Sequence, residues 1–169
     1  MRIIIFSLLP FLFLNADSGV LQVDWSKIGK QIQKSSKAYP KVLTKGIKEV
    51  RLPVLLSSQY AQNSNMSVVA QKDFYSISFP IKGATVTFSG DKTYQEDISS
   101  SNQEFQKMVE GTEIEFVQEE GIMTVDFNRY GANYSMEVEC LSPKKDERCS
   151  QETFLREIYN RLVVVGGRP

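Results

Sequence analysis

Five carboxylates, Glu113, Glu115, Asp126, Glu137 and Glu139, recur at alternating positions in the second half of a 169-residue chain. Two carboxylates held side by side suppress each other's ionisation. One then stays protonated as a general acid while the other serves as base or nucleophile, which is the chemistry of glycoside hydrolysis. If these residues belong to neighbouring strands they share one face, and Glu115 falls opposite Asp126. The competing reading is a solvated acidic face, or one answered by lysines elsewhere, because alternation along a half-buried strand demands polar residues outside.

The rest of the catalytic inventory is short. The chain has no histidine, which removes Ser-His-Asp and Cys-His nucleophiles and His-based zinc sites. There is no phosphate-binding GxxxxGK[ST], no GxGxxG after a strand and no GxSxG. The string SGDKTYQED has acids without the EF-hand spacing. No cofactor and no metal are expected. Formal net charge is zero, so no overall field points to nucleic acid.

Three further groups carry candidate binding chemistry. Lys27, Lys30, Lys34, Lys37, Lys41, Lys45 and Lys48 follow one another at gaps of three or four, a basic stripe on an amphipathic helix. Such a stripe suits an anionic membrane surface or a polyanion. The alternative is a helix that buries Ile28, Ile32 and Leu43 and shows its lysines to water. Arg129, Tyr130 and Asn133 cluster around Gly131, either as a small recognition patch or as turn residues chosen for conformation. Asn65 and Asn133 open N-x-S sequons, which matter only in a eukaryotic secretory pathway.

These groups need elements to hold them. The lysines read as a helix over about 25–38, with Asp24 as N-cap, and after Pro40 a second short helix to about 48. EVRLPVLL reads as an edge strand, because Pro53 cannot donate to a ladder. SSQYAQNSN reads as a loop, and MSVVAQKD as strand or loop. In FYSISFPIKGATVTFSG a turn at Lys82-Gly83 sets Ile81 against Ala84, Phe79 against Val86 and Ile77 against Phe88, with Ser78–Thr87 and Ser76–Ser89 on the other face. Turns at Glu120-Gly121 and Tyr130-Gly131 likewise pair Phe116 with Val125, Ile114 with Phe127, Phe127 with Tyr134, Val125 with Met136 and Met123 with Val138. One apolar face runs through all these strands, and a one-residue slip would expose it. Tyr134 therefore looks inward. DKTYQEDISSSNQEFQKMVEG, within 91–111, is a polar connection with a short helix around 102–109. After Ser150 as cap, Phe154, Leu155, Ile158, Tyr159, Leu162 and Val163 recur at helical spacing, and Gly166-Gly167 stops the helix.

The start of the chain reads differently. MRIIIFSLLPFLFLNA has one arginine, then an apolar run short for a bilayer span, then polar NADSG. It reads as a secretory signal peptide over 1–19, cleaved near Ala16 or Gly19; the alternative is an uncleaved anchor. No cysteine stands there for lipid attachment. Cys140 and Cys149 are the only cysteines, and an even count in an exported chain predicts a disulfide rather than two free thiols. It would fix the turn between the last strand and the last helix.

NRYGANYSMEVEC, the following RC, the terminal VVVGG and the upstream RLPVLL resemble a group of small exported proteins of Gram-negative bacteria of alphaproteobacterial type. The resemblance covers the greater part of the mature chain. It implies an envelope location and carries over no catalytic residue.

The expected architecture is a single α+β domain over 20–169: a mostly antiparallel sheet of five or six strands, one face covered by N-terminal and C-terminal helices. The expected role is that of a non-catalytic periplasmic or secreted binding protein, its partner an envelope protein or ligand. A carboxylate-based hydrolase and an anionic-surface binder acting through the lysines are the alternatives.

Overall fold

A computed structural model of the chain describes Val23, Trp25, Ser26 and Ile28 and residues 39–92 and 114–169. The expected signal peptide, most of the first helix and the bulk of the 91–111 connection lie outside these residues.

Four tight hairpins build the sheet, three of them the ones read from the sequence. β3 (Phe74–Ile81) and β4 (Ala84–Asp91) pair from Phe74↔Asp91 to Ile81↔Ala84, the register read from the sequence. β5 (Glu115–Glu119), β6 (Ile122–Arg129) and β7 (Ala132–Cys140) pair as expected through Phe116↔Val125, Phe127↔Tyr134, Val125↔Met136 and Met123↔Val138. Two of the turns place both central residues at positive φ: Glu120 at 51° with Gly121 at 88°, and Tyr130 at 57° with Gly131 at 77°. That geometry matches the twist of the flanking strands, and outside glycine it costs about 1 kcal/mol per residue. The ambiguous SVVAQ segment forms β2 (Ser67–Gln71) against β3. The six antiparallel strands run in the order β2-β3-β4-β7-β6-β5.

Alternation then decides the core. Tyr75, Ile77, Phe79, Val86, Phe88, Val125, Met136 and Val138 are buried from one side of the sheet. Phe79 and Phe88 meet edge to face at 5.9 Å, with the Tyr60 ring 5.3 Å from Phe79. So the loop read from SSQYAQNSN lays an aromatic on the sheet. Gly90 stands in a central strand because a Cβ there would strike the Tyr75 ring.

The end of the chain departs from the expectation. A helix α2 covers only Thr153–Asn160. Leu162–Gly166 is a strand, β8, antiparallel to β1 (Val54–Ser57) in a separate two-stranded ribbon. Leu162 and Val163 satisfy helical spacing, but Val163-Val164-Val165 is β-branched and β1 needs a partner for its backbone groups. Ser150 does not cap α2 by its side chain; its hydroxyl donates to Asp146 O at 3.3 Å, in the 3-10 turn Glu147–Cys149 that precedes the helix. The glycine pair ends a strand rather than a helix. Gly167, at φ 105°, passes so close to the Leu52 carbonyl that no side chain fits.

The ribbon lies on the buried face, β1 against β4. Two buried tyrosines anchor it: Tyr75 OH accepts from Leu55 N–H at 2.9 Å, and Tyr134 OH donates to Pro53 O at 2.9 Å. α2 touches β6, β7 and β1. Cys140 and Cys149 form a disulfide, Cα to Cα 6.1 Å, tying the end of β7 to the 3-10 turn ahead of α2. Near the N-terminus Trp25, Ser26 and Ile28 are helical, and Ile28 is fully buried. The second short helix is α1 (Lys41–Gly46), with Leu43 buried and Ile47 buried just beyond it.

Candidate functional site

The outer face of the sheet carries polar side chains in straight rows, because cross-strand partners share a face. One row runs Ser67, Ser78, Thr87, Glu137, Thr124, Val117. The next runs Val69, Ser76, Ser89, Ser135, Asp126, Glu115. A third holds Pro80, Thr85, Glu139, Ile122 and Glu119. The face is therefore divided: hydroxyls over β3 and β4, carboxylates over β7, β6 and β5. Ser78 and Thr87 share a hydrogen bond of 3.0 Å across their strands.

Within the acidic half Glu115 stands opposite Asp126, as the spacing predicts. Glu137 lies diagonally from Asp126, since Thr124 is its own partner and Ser135 is that of Asp126. Half-burial of Glu137, then the nearby charges of Asp126 and Glu139, push its carboxyl above the usual range. Both causes disfavour the charged form. The arrangement offers a flat surface of acceptors and hydroxyls, and one carboxyl, Glu137, that takes up a proton more readily than an ordinary carboxylate. Glu113 is outside the described residues. Among the described residues no group of three or more His, Cys, Asp and Glu side chains is placed to hold a metal ion.

The hairpin end separates the residues grouped there by the sequence. Arg129 shares its side of β6 with inward-facing Phe127. It donates from Nη2 to Tyr159 OH at 3.1 Å, and its guanidinium carbon lies 5.3 Å from the Tyr159 ring centre and 5.6 Å from that of Phe127. Phe127 and Tyr159 meet edge to face at 4.9 Å. Arg129 is thus a strut between the hairpin and α2. Tyr130 forms the turn itself. Asn133 lies in β7 on the outer face, between Asp91 and Asn128. The three are close in the chain but do not share a face.

Two more arginines do similar work without having been singled out in the sequence. Arg156 on α2 stands 4.3 Å over the Phe116 ring. Arg148 donates to Lys82 O at 2.8 Å and pairs with Asp146, whose carboxyl that contact holds below its usual range. No spacing signal links Arg156 to Phe116 or Arg148 to Lys82, which are distant in the chain; Asp146 is a near neighbour of Arg148. The hydroxyl rows were half visible: the Ser78–Thr87 and Ser76–Ser89 pairs follow from the register, but the short β2 that extends them does not.

Lys27, Lys30, Lys34 and Lys37 lie outside the described residues. Further along the stripe Lys41, Lys45 and Lys48 are exposed while Leu43 and Ile47 are buried, the pattern of a helix packed by its apolar side. Among the described residues no helix is long and apolar enough to cross a membrane. Comparison of the chain with protein-family models, with curated proteins and with solved structures gave no match.

Proposed function

We propose that the mature chain is an exported, non-catalytic binding protein of the bacterial envelope, working in the periplasm or after secretion. The observation that carries this reading is the Cys140–Cys149 disulfide, a bond that persists in oxidising compartments and is rare in reducing ones. The apolar N-terminal stretch and the resemblance to small exported proteins support it. On this reading the helices from the two ends of the chain complete the cover of the inner face, and the outer face is left for a partner. Its acidic half suits a partner that presents cationic groups.

Fractionation of the producing cells with thiol labelling tests the location. The expected product is a chain shortened at its N-terminus, recovered outside the cytoplasm, with both cysteines protected until reduction. A full-length cytoplasmic protein with two reactive thiols would overturn it. The surface is tested by capture from the envelope fraction on the tagged protein: Asp126→Asn with Glu139→Gln should lose the partner that the parent protein retains.

A hydrolase acting through carboxylates is the second reading, favoured by the raised carboxyl of Glu137 beside Asp126 and Glu139. It requires glycoside hydrolysis by the purified protein that Glu137→Gln abolishes. Turnover that survives this substitution, or none at all, removes it.

A further inference from the structure

The six-stranded sheet has two margins, and the sequence treats them differently. At one margin β5 carries Glu115 and Glu119, followed by Glu120 in its turn. A second strand of the same kind laid against it would bring like charges together, a common device against edge-to-edge pairing. At the other margin β2 reads Ser-Val-Val-Ala-Gln: no charge, no proline, and an unbroken register with β3 from Ser67↔Ser78 to Gln71↔Phe74, without a bulge. Among the described residues no backbone bond joins β2 to anything but β3.

Apolar side chains flank this bare edge. Val69, at the centre of β2, is 59% exposed, and Val42 of α1 is 40% exposed. Gly46 of α1 approaches Val68 so closely that a Cβ there would overlap its side chain. Val42 lies one helical turn before Gly46, on the same stripe of α1. An uncharged backbone edge thus runs between two solvent-facing valines.

We propose that β2 is a docking edge for a second copy of this chain, paired antiparallel about a two-fold axis at Val69 and joining the two sheets into one. Self-pairing suits this edge because it is self-complementary. Val69 meets its own counterpart, Val68 meets Ala70 and Ser67 meets Gln71; the ladder ends there, because Lys72 O already accepts from Arg51 N–H at 2.6 Å. No like charges are opposed. Side chains keep their faces, since an antiparallel partner in this register matches inward residues with inward ones. A strongly charged partner strand would find no complement on β2. The interface is short, so a reversible dimer is expected rather than an obligate one.

Sedimentation of the purified, disulfide-intact protein over a concentration series tests the proposal. A monomer–dimer equilibrium is expected. Val69→Lys, which sets two ammonium groups against each other at the axis, should weaken it by about tenfold or more. Val117→Lys on the opposite margin should leave it unchanged. Independently, Val69→Cys should oxidise to a covalent dimer much faster than Val117→Cys, which keeps the question answerable if the lysine variant misfolds. A protein monomeric throughout the series, a dimer indifferent to Val69→Lys, equal weakening by both lysine variants, or equal cross-linking by both cysteine variants would each overturn it.

Discussion

The two faces of one sheet have opposite chemistry. The inner face is a layer of Phe, Tyr, Ile, Val and Met closed by a two-stranded ribbon, and its two buried tyrosine hydroxyls are spoken for: Tyr75 and Tyr134 each bond to the backbone of the segment above them. The outer face has hydroxyls on one half and carboxylates on the other, left half-exposed in rows. The same backbone ladder serves both. The difference shows that in this fold stability resides on one side of the sheet and chemical variety on the other, so substitutions on the two faces should differ in size and in sign.

The largest effect is expected at Phe79. Truncation to Ala removes its contacts with Tyr60 and Phe88 and leaves a cavity in a site with no exposure. Stability in urea should fall by about 3–5 kcal/mol; a loss below about 1 kcal/mol would mean that the ribbon does not close the inner face. Tyr134→Phe is milder. It leaves Pro53 O without its donor, and a loss of about 1–2 kcal/mol is expected. Burial holds the Tyr134 hydroxyl far above its ordinary ionisation range, so ultraviolet titration of the folded protein should leave this phenol protonated until the protein unfolds.

On the outer face the sign reverses. Glu137→Gln removes a carboxylate that burial and like charges disfavour, and a gain of about 0.5 kcal/mol is expected at neutral pH. The pH dependence follows. The carboxyl of Glu137 titrates at higher pH in the folded protein than in the unfolded chain. Between the two values the folded state binds more proton, so stability falls as pH rises through that window. The Gln variant lacks this slope, and its advantage should vanish in acid below the carboxylate range. Asp146 acts in the opposite direction: Arg148 lowers its ionisation range, so its contribution is present at neutral pH and is lost as pH falls through the folded value. Parallel thermal melts from pH 3 to pH 7 separate the two, and a Gln variant no more stable than the parent at neutral pH would show that the acidic half is fully relaxed by solvent.

Much of the inner face was legible in the chain because a strand has a period of two and each tight turn fixes the register. Once Gly83, Gly121 and Gly131 are placed, Phe79 must meet Val86 and Val125 must meet Met136. The outer rows follow from the same parity, which is why Glu115 and Asp126 could be set opposite each other in advance. The failures have another cause. Leu162 and Val163 fit a helical stripe and a strand equally well, and the choice rested with β1, more than a hundred residues earlier. Likewise the chain alone leaves Arg129 open as a recognition group or a turn residue; that its guanidinium bonds Tyr159, thirty residues away, is visible only in the fold.

Residue order alone determined the three reversals, the pairing of the strands they join, the side from which the greasy layer is buried and the oxidised cysteine pair. These depend on contacts between segments adjacent in the chain, where alternation and turn conformation leave one consistent register. Only the tertiary structure decided that the last valines pair with β1, that two tyrosines hold this ribbon to the sheet and that Arg129 and Arg156 rest on the rings of Tyr159 and Phe116. Those contacts join distant segments, and the preferences of each segment taken singly admit more than one partner.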